Sequence, residues 1–306
     1  MELLLWGALL LSQMGTSAKQ YAMKKCGMIA SGPLNSTRIN LIRATICVVV
    51  SLGIWLVSDR CGSTPLGIGI SIAAGVGTAL NLFTWILSSQ RISMTLIEGI
   101  CTIGTLILPL FLAPYLYGGE SVSALQWFGT VLVLVSLFLF SGKDGRKKEK
   151  TSIWGSIALV FVCALGATVA SVAKKYYTFH ITAKELGSVE FFTLISFVTV
   201  LCTFILLYFI YSRIERRATQ ESDVSVTFPF RRVFPFVIIA AVALYITELF
   251  ATYASKLPSA IYYPATKAML IVGCFLLDVL VFKERVTVKK IIGLILLLTA
   301  VILINL

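Results

Sequence analysis

The chain has 306 residues, 58% of them hydrophobic and only 13% charged, with a formal net charge of +12. A soluble domain of this length has roughly 25% charged residues, so the composition excludes an ordinary soluble fold and points to an integral membrane protein. The basic residues gather in short stretches between apolar runs, which is how membrane topology is written, and nucleic acid is not expected as a partner.

Apolar stretches near 20 residues are long enough to cross a bilayer core. Ten are predicted in chain order: 3–22, 36–57, 66–88, 92–116, 123–141, 152–172, 187–211, 233–254, 259–282 and 287–305. The first follows Met1-Glu2 with no basic stretch ahead of it, so a retained span is expected in place of a cleaved signal peptide. Connections are short apart from a basic run, Gly142 to Lys150, and the stretch from Ser212 to Arg232. Lys and Arg number about 17 around the odd-numbered connections and about five around the even ones, which places the odd connections in the cytoplasm and both termini outside.

The chain repeats itself. Trp6-Gly7 opens the first span and Trp154-Gly155 the sixth, and these spans end near Lys24-Lys25 and Lys174-Lys175. Glu120-Ser121-Val122-Ser123 recurs as Glu284-Arg285-Val286-Thr287, with a glycine nine residues after each glutamate, Gly129 and Gly293. A recurrence at fixed spacing points to two homologous halves. Five spans per half turn the second half upside down relative to the first. The expected fold is therefore an all-α integral membrane protein of ten transmembrane helices in two inverted five-helix repeats, residues 1–141 and 152–306, joined by a basic cytoplasmic linker at 142–151. Glu120 and Glu284 each precede a helix start and read as structural, with the following Ser or Thr as an N-cap.

Ionisable residues inside a bilayer are costly and face protein or water. Arg43, Glu98, Glu248 and Lys267 are the candidates. Aligning Leu82-Phe83 with Leu249-Phe250 sets Asn81 at the position matching Glu248. On this reading Glu98 and Glu248 bind a cationic group or a coupling proton, and Arg43 and Lys267 bind a carboxylate or phosphate. The competing reading is charge pairing that only fixes helix packing. Tyr262 and Tyr263 are candidate pocket walls, whereas Trp85 reads as packing or a lipid-facing belt. Pro109 and Pro264 each free a backbone carbonyl and are candidate hinges. Lys19, Arg38, Glu190 and Asp278 read as interfacial anchors. No catalytic residue is assigned. Five of the seven cysteines lie in apolar spans without CxxC spacing, and His180 is the single histidine, so neither a metal site nor a cofactor is expected and the chain does not read as an enzyme.

The Trp-Gly openings, Lys19 followed by Arg43, and the closing run from Pro258-Ser259-Ala260-Ile261-Tyr262-Tyr263-Pro264 to Phe282-Lys283-Glu284-Arg285-Val286 with Gly293 make the whole chain resemble the EamA-like ten-span branch of the drug/metabolite transporter superfamily. The resemblance implies alternating access across a cell membrane, here read as the bacterial cytoplasmic membrane. It also implies a central cavity lined by spans 1–4 and 6–9, with spans 5 and 10 peripheral. The expected partners are a small organic metabolite, protons as a coupling ion, membrane lipid and a second copy of the chain. Amino acids and phosphorylated metabolites both stay open as substrates. A receptor or scaffold that transports nothing is the alternative function.

Overall fold

A computed structural model describes residues 2–58, 62–90, 94, 97–98, 101, 104–105, 109, 111–112, 115–116, 123–140, 153–181, 187–219, 228–283 and 286–304. Among them are nine helices and no strand: α1 (Glu2–Ile29), α2 (Pro33–Val57), α3 (Pro65–Ser89), α4 (Ala124–Phe140), α5 (Ile153–Ile181), α6 (Val189–Thr219), α7 (Phe230–Ala254), α8 (Ser259–Leu280) and α9 (Val288–Ile304). Six helices, α2, α3, α5, α6, α7 and α8, are long and apolar enough to cross a membrane. The chain is a helical multi-pass membrane protein.

The expected count of ten spans is not met by these six. α1 has the length, but its second half carries Lys19, Gln20, Lys24 and Lys25, which dilute its apolar character. The helices α4 and α9 are apolar but have only 17 residues each. Most of the stretch 92–116 lies outside the described residues, as do Glu120, Glu284 and the linker 142–151.

Local chemistry sets the helix starts. Pro33 opens α2 after Gly32, whose φ of 95° suits glycine. Thr64 caps α3, its Oγ1 accepting from the Gly67 N–H at 3.2 Å, with Pro65 in the first turn. Ser123 and Gln126 form a reciprocal capping box at α4: the Gln126 N–H donates to Ser123 Oγ (3.2 Å), and the Ser123 N–H to Gln126 Oε1 (2.9 Å). Ser188 does the same work for α6, accepting from the Phe191 N–H.

The helices turn apolar residues outward and polar ones inward, the reverse of a soluble bundle. Leu206 and Phe209 of α6 and Phe161 of α5 are exposed, while Lys24, Arg43, Glu98 and Asp278 are buried. Lipid satisfies the outer faces; most of the inner polar groups find partners within the protein. The most extensive pairings are α1 on α7, α3 on α5, α4 on α9 and α2 on α6, followed by α3 on α6 and α2 on α7. At the α3–α5 crossing the backbones nearly touch. A Cβ at Gly77 would sit 2.7 Å from the Gly166 carbonyl oxygen, and one at Gly166 would sit 2.6 Å from that of Gly77. Only glycine allows this approach.

Candidate functional site

The paired helices enclose a polar cavity of about 130 Å³. Side chains from α1, α2, α3, α5, α7 and α8 line it, together with Glu98 and Cys101 from the stretch after α3. Residues of α4, α6 and α9 do not line it.

The expected site residues divide as follows. Arg43 (α2), Asn81 (α3), Glu98, Glu248 (α7), Tyr262 and Lys267 (α8) all line this one cavity. Asn81 and Glu248, matched in the sequence by repeat alignment, thus face the same space. Tyr263 does not line it. It lies 2% exposed in an apolar cluster with Leu9, Val133 and Ile271, its ring 5.1 Å from that of Tyr262. Pro264 is buried inside α8, three residues before Lys267, and Pro109 is helical and buried. Neither proline lines the cavity.

Glu98 is 6% exposed and tightly held. Its Oε1 accepts from Gln20 Nε2 at 2.5 Å and from Trp85 Nε1 at 2.8 Å. Gln20 is fixed in turn by the Cys274 thiol, 2.7 Å from its Oε1. Glu248 pairs with Lys174 of α5 at 2.5 Å. Asn81 Nδ2 donates to the Cys163 carbonyl at 3.2 Å, tying α3 to α5. Arg43, 1% exposed, donates from Nη2 to Asn40 Oδ1, while its Nε and Nη1 find no acceptor among the described residues.

Four cavity residues were misread or passed over in the sequence. Lys19 lines the cavity and is no interfacial anchor. Lys174, counted with a connection, is the partner of Glu248. Trp85 packs in a buried apolar cluster with Ile86 and Met94, as one of its two readings had it, and also lines the cavity and donates to Glu98. Gln20 carried a signal that was available, an amide at one-residue remove from Lys19 in a span otherwise rich in leucine. Asp278, also read as an anchor, is 2% exposed and pairs with Lys24 at 3.1 Å. Among the described residues no three His, Cys, Asp or Glu side chains gather closely enough to hold a metal ion.

No protein-family model matches the chain. No curated protein matches it either. Among solved structures, one crystal structure with 13% sequence identity superposes over 98% of both chains with a TM-score of 0.65. At that identity the likeness is one of fold. It extends over the full length of both molecules, so the helical arrangement is one that other solved proteins share.

Proposed function

We propose that this chain is a secondary carrier of the ten-span drug/metabolite transporter type, moving a small organic metabolite across a membrane by alternating access. The observation that carries the reading is the cavity: a charged chamber enclosed by helices whose outer faces are apolar. Burying that many ionisable groups is costly unless water or a ligand uses them.

The helix pairing supports two inverted halves. With 92–116 counted as a fourth span, exchanging each span for the one five places along turns α1 on α7 into α5 on α3 and α3 on α6 into α7 on α2. The same exchange leaves α2 on α6 and α4 on α9 unchanged. A midplane site at the interface of inverted repeats is the usual place for a carrier's substrate. A receptor or scaffold has no need of such symmetry or of a charged chamber. The bacterial cytoplasmic membrane is the proposed location, and Glu98 or Glu248 the proposed proton site.

The test is counterflow. Purified protein is reconstituted into vesicles preloaded with unlabelled amino acids, sugar phosphates, nucleobases or lipophilic cations, and uptake of the labelled compound is followed. Exchange of one class, absent from protein-free vesicles, is the expected result. Folded protein that exchanges none of them would support the scaffold reading instead.

A further inference from the structure

We infer that the chamber binds a small organic dianion, a phosphate monoester or a dicarboxylate, through Lys19, Arg43 and Lys267. This inference rests on the carrier reading above and names the substrate class of the same site.

The argument begins with charge. Among the described residues six acidic or basic side chains line the cavity: the cations Lys19, Arg43, Lys174 and Lys267 and the carboxylates Glu98 and Glu248. Two carboxylates cannot compensate four cations however they are shared. Glu98 is the sole charged residue in the sequence between 92 and 116, so the remainder of that stretch adds no further carboxylate. Glu248 is already committed to Lys174, and Glu98 to the donors Gln20 and Trp85. With all six in their charged forms, the described lining carries two positive charges in excess, which a dianion matches.

Arg43 makes the excess hard to remove. A buried lysine can release its proton and become neutral, but a guanidinium stays charged. Arg43 is 1% exposed and two of its three nitrogens have no acceptor among the described residues. An uncompensated buried charge is expensive, and a planar fork with free donors is shaped for a carboxylate or a phosphate. Lys19 and Lys267 form no ion pair among the described residues and face the same space. Gln13, also on the cavity wall, leaves its Oε1 without a donor, an acceptor for a hydroxyl on the organic portion of the ligand. An amino acid fits less well, because its ammonium group would compete with Lys174 for Glu248 or with Gln20 and Trp85 for Glu98.

The experiment compares charge classes on the full-length chain. Thermal unfolding in detergent and counterflow in vesicles are measured with glycerol 3-phosphate and succinate as dianions, glycerol as the neutral analogue, alanine as the zwitterion and choline as the cation. We expect glycerol 3-phosphate or succinate to raise the Tm and to exchange, with glycerol, alanine and choline inert. Arg43→Gln and Lys267→Gln should each weaken the dianion by roughly 10- to 100-fold, the worth of one charge-assisted hydrogen bond. Arg43→Lys should recover part of the loss, and Lys256→Gln, at an exposed position, should change nothing. If Arg43→Gln does not fold, Lys19→Gln and Lys267→Gln carry the test. Exchange of alanine or choline without the dianions would overturn the dianion and leave the carrier standing. Exchange of none of these compounds would overturn the dianion, failure of the wider counterflow panel as well would overturn the carrier, and dianion binding unchanged in the charge-removed variants would overturn the assigned residues.

Discussion

Lys24 of α1 and Asp278 of α8 form an ion pair at 3.1 Å with both side chains almost completely buried, 1% and 2% exposed. Lys24 also lies over the Phe282 ring, 3.9 Å from its centroid. Each residue sits one helical turn beyond a member of a hydrogen-bonded pair, Gln20 and Cys274 respectively. Removing one partner strips the other buried charge of this ion pair, a loss of about 3–5 kcal/mol. Lys24→Met and Asp278→Leu should each lower the Tm strongly in detergent, and the double variant should regain most of the loss. Additive losses would show that the two residues act separately.

Gly77 and Gly166 make a second prediction. Any side chain at either position meets backbone, not a flexible tip, so α3 and α5 have to move apart. Gly77→Val should destabilise by about 1–3 kcal/mol, the cost of overpacking. Gly69 lies in the same helix with nothing within 4 Å of its would-be Cβ, and Gly69→Ala should be neutral or slightly stabilising. Equal Tm values for the two variants would refute the close crossing.

Glu248 separates coupling from binding. If it carries the coupling proton, Glu248→Gln should abolish uptake driven by a proton gradient while counterflow persists. The neutral amide keeps the shape and releases Lys174 from its 2.5 Å pair. Gradient-driven uptake at the wild-type rate would remove Glu248 from that role and leave Glu98 as the remaining candidate.

Lys175 is 2% exposed and its Nζ donates to the carbonyls of Ser255 (2.9 Å) and Leu257 (2.6 Å), just past the end of α7. A cation there satisfies carbonyls that the helix leaves open. Lys175→Met should cost about 1–3 kcal/mol, read as a drop in Tm. Lys256→Met, next to the same carbonyls in sequence but exposed, should stay within about 0.5 kcal/mol of wild type.

Membrane character and helical class were legible from composition and from apolar runs of membrane length, since 13% charged residues lies far below the roughly 25% of an average soluble domain. Which face of each helix looks inward was harder. In a soluble helix the apolar stripe marks the core, but here lipid and core are both apolar, so the pattern carries little direction. Tyr262 and Tyr263 illustrate it. They are adjacent, chemically identical and members of one apolar cluster, yet only Tyr262 lines the cavity. Charged residues were more informative, since Arg43, Glu98, Glu248 and Lys267 converge on one space. Lys19, Lys24 and Asp278 were misplaced for a common reason. Their nearness to span ends suggested contact with water, and α1 runs on to Ile29, several residues past the predicted end.

The tie between Lys24 and Asp278 and the tie from Lys175 to the carbonyls of Ser255 and Leu257 bracket α8. They lie at its two ends, about 30 Å apart at 1.5 Å per residue. Lys267 and Pro264 sit between them. One tie fastens the helix to α1 and the other holds its entry to α5. The position of Lys267 relative to those two cavity walls is thus set from both ends of the helix that carries it.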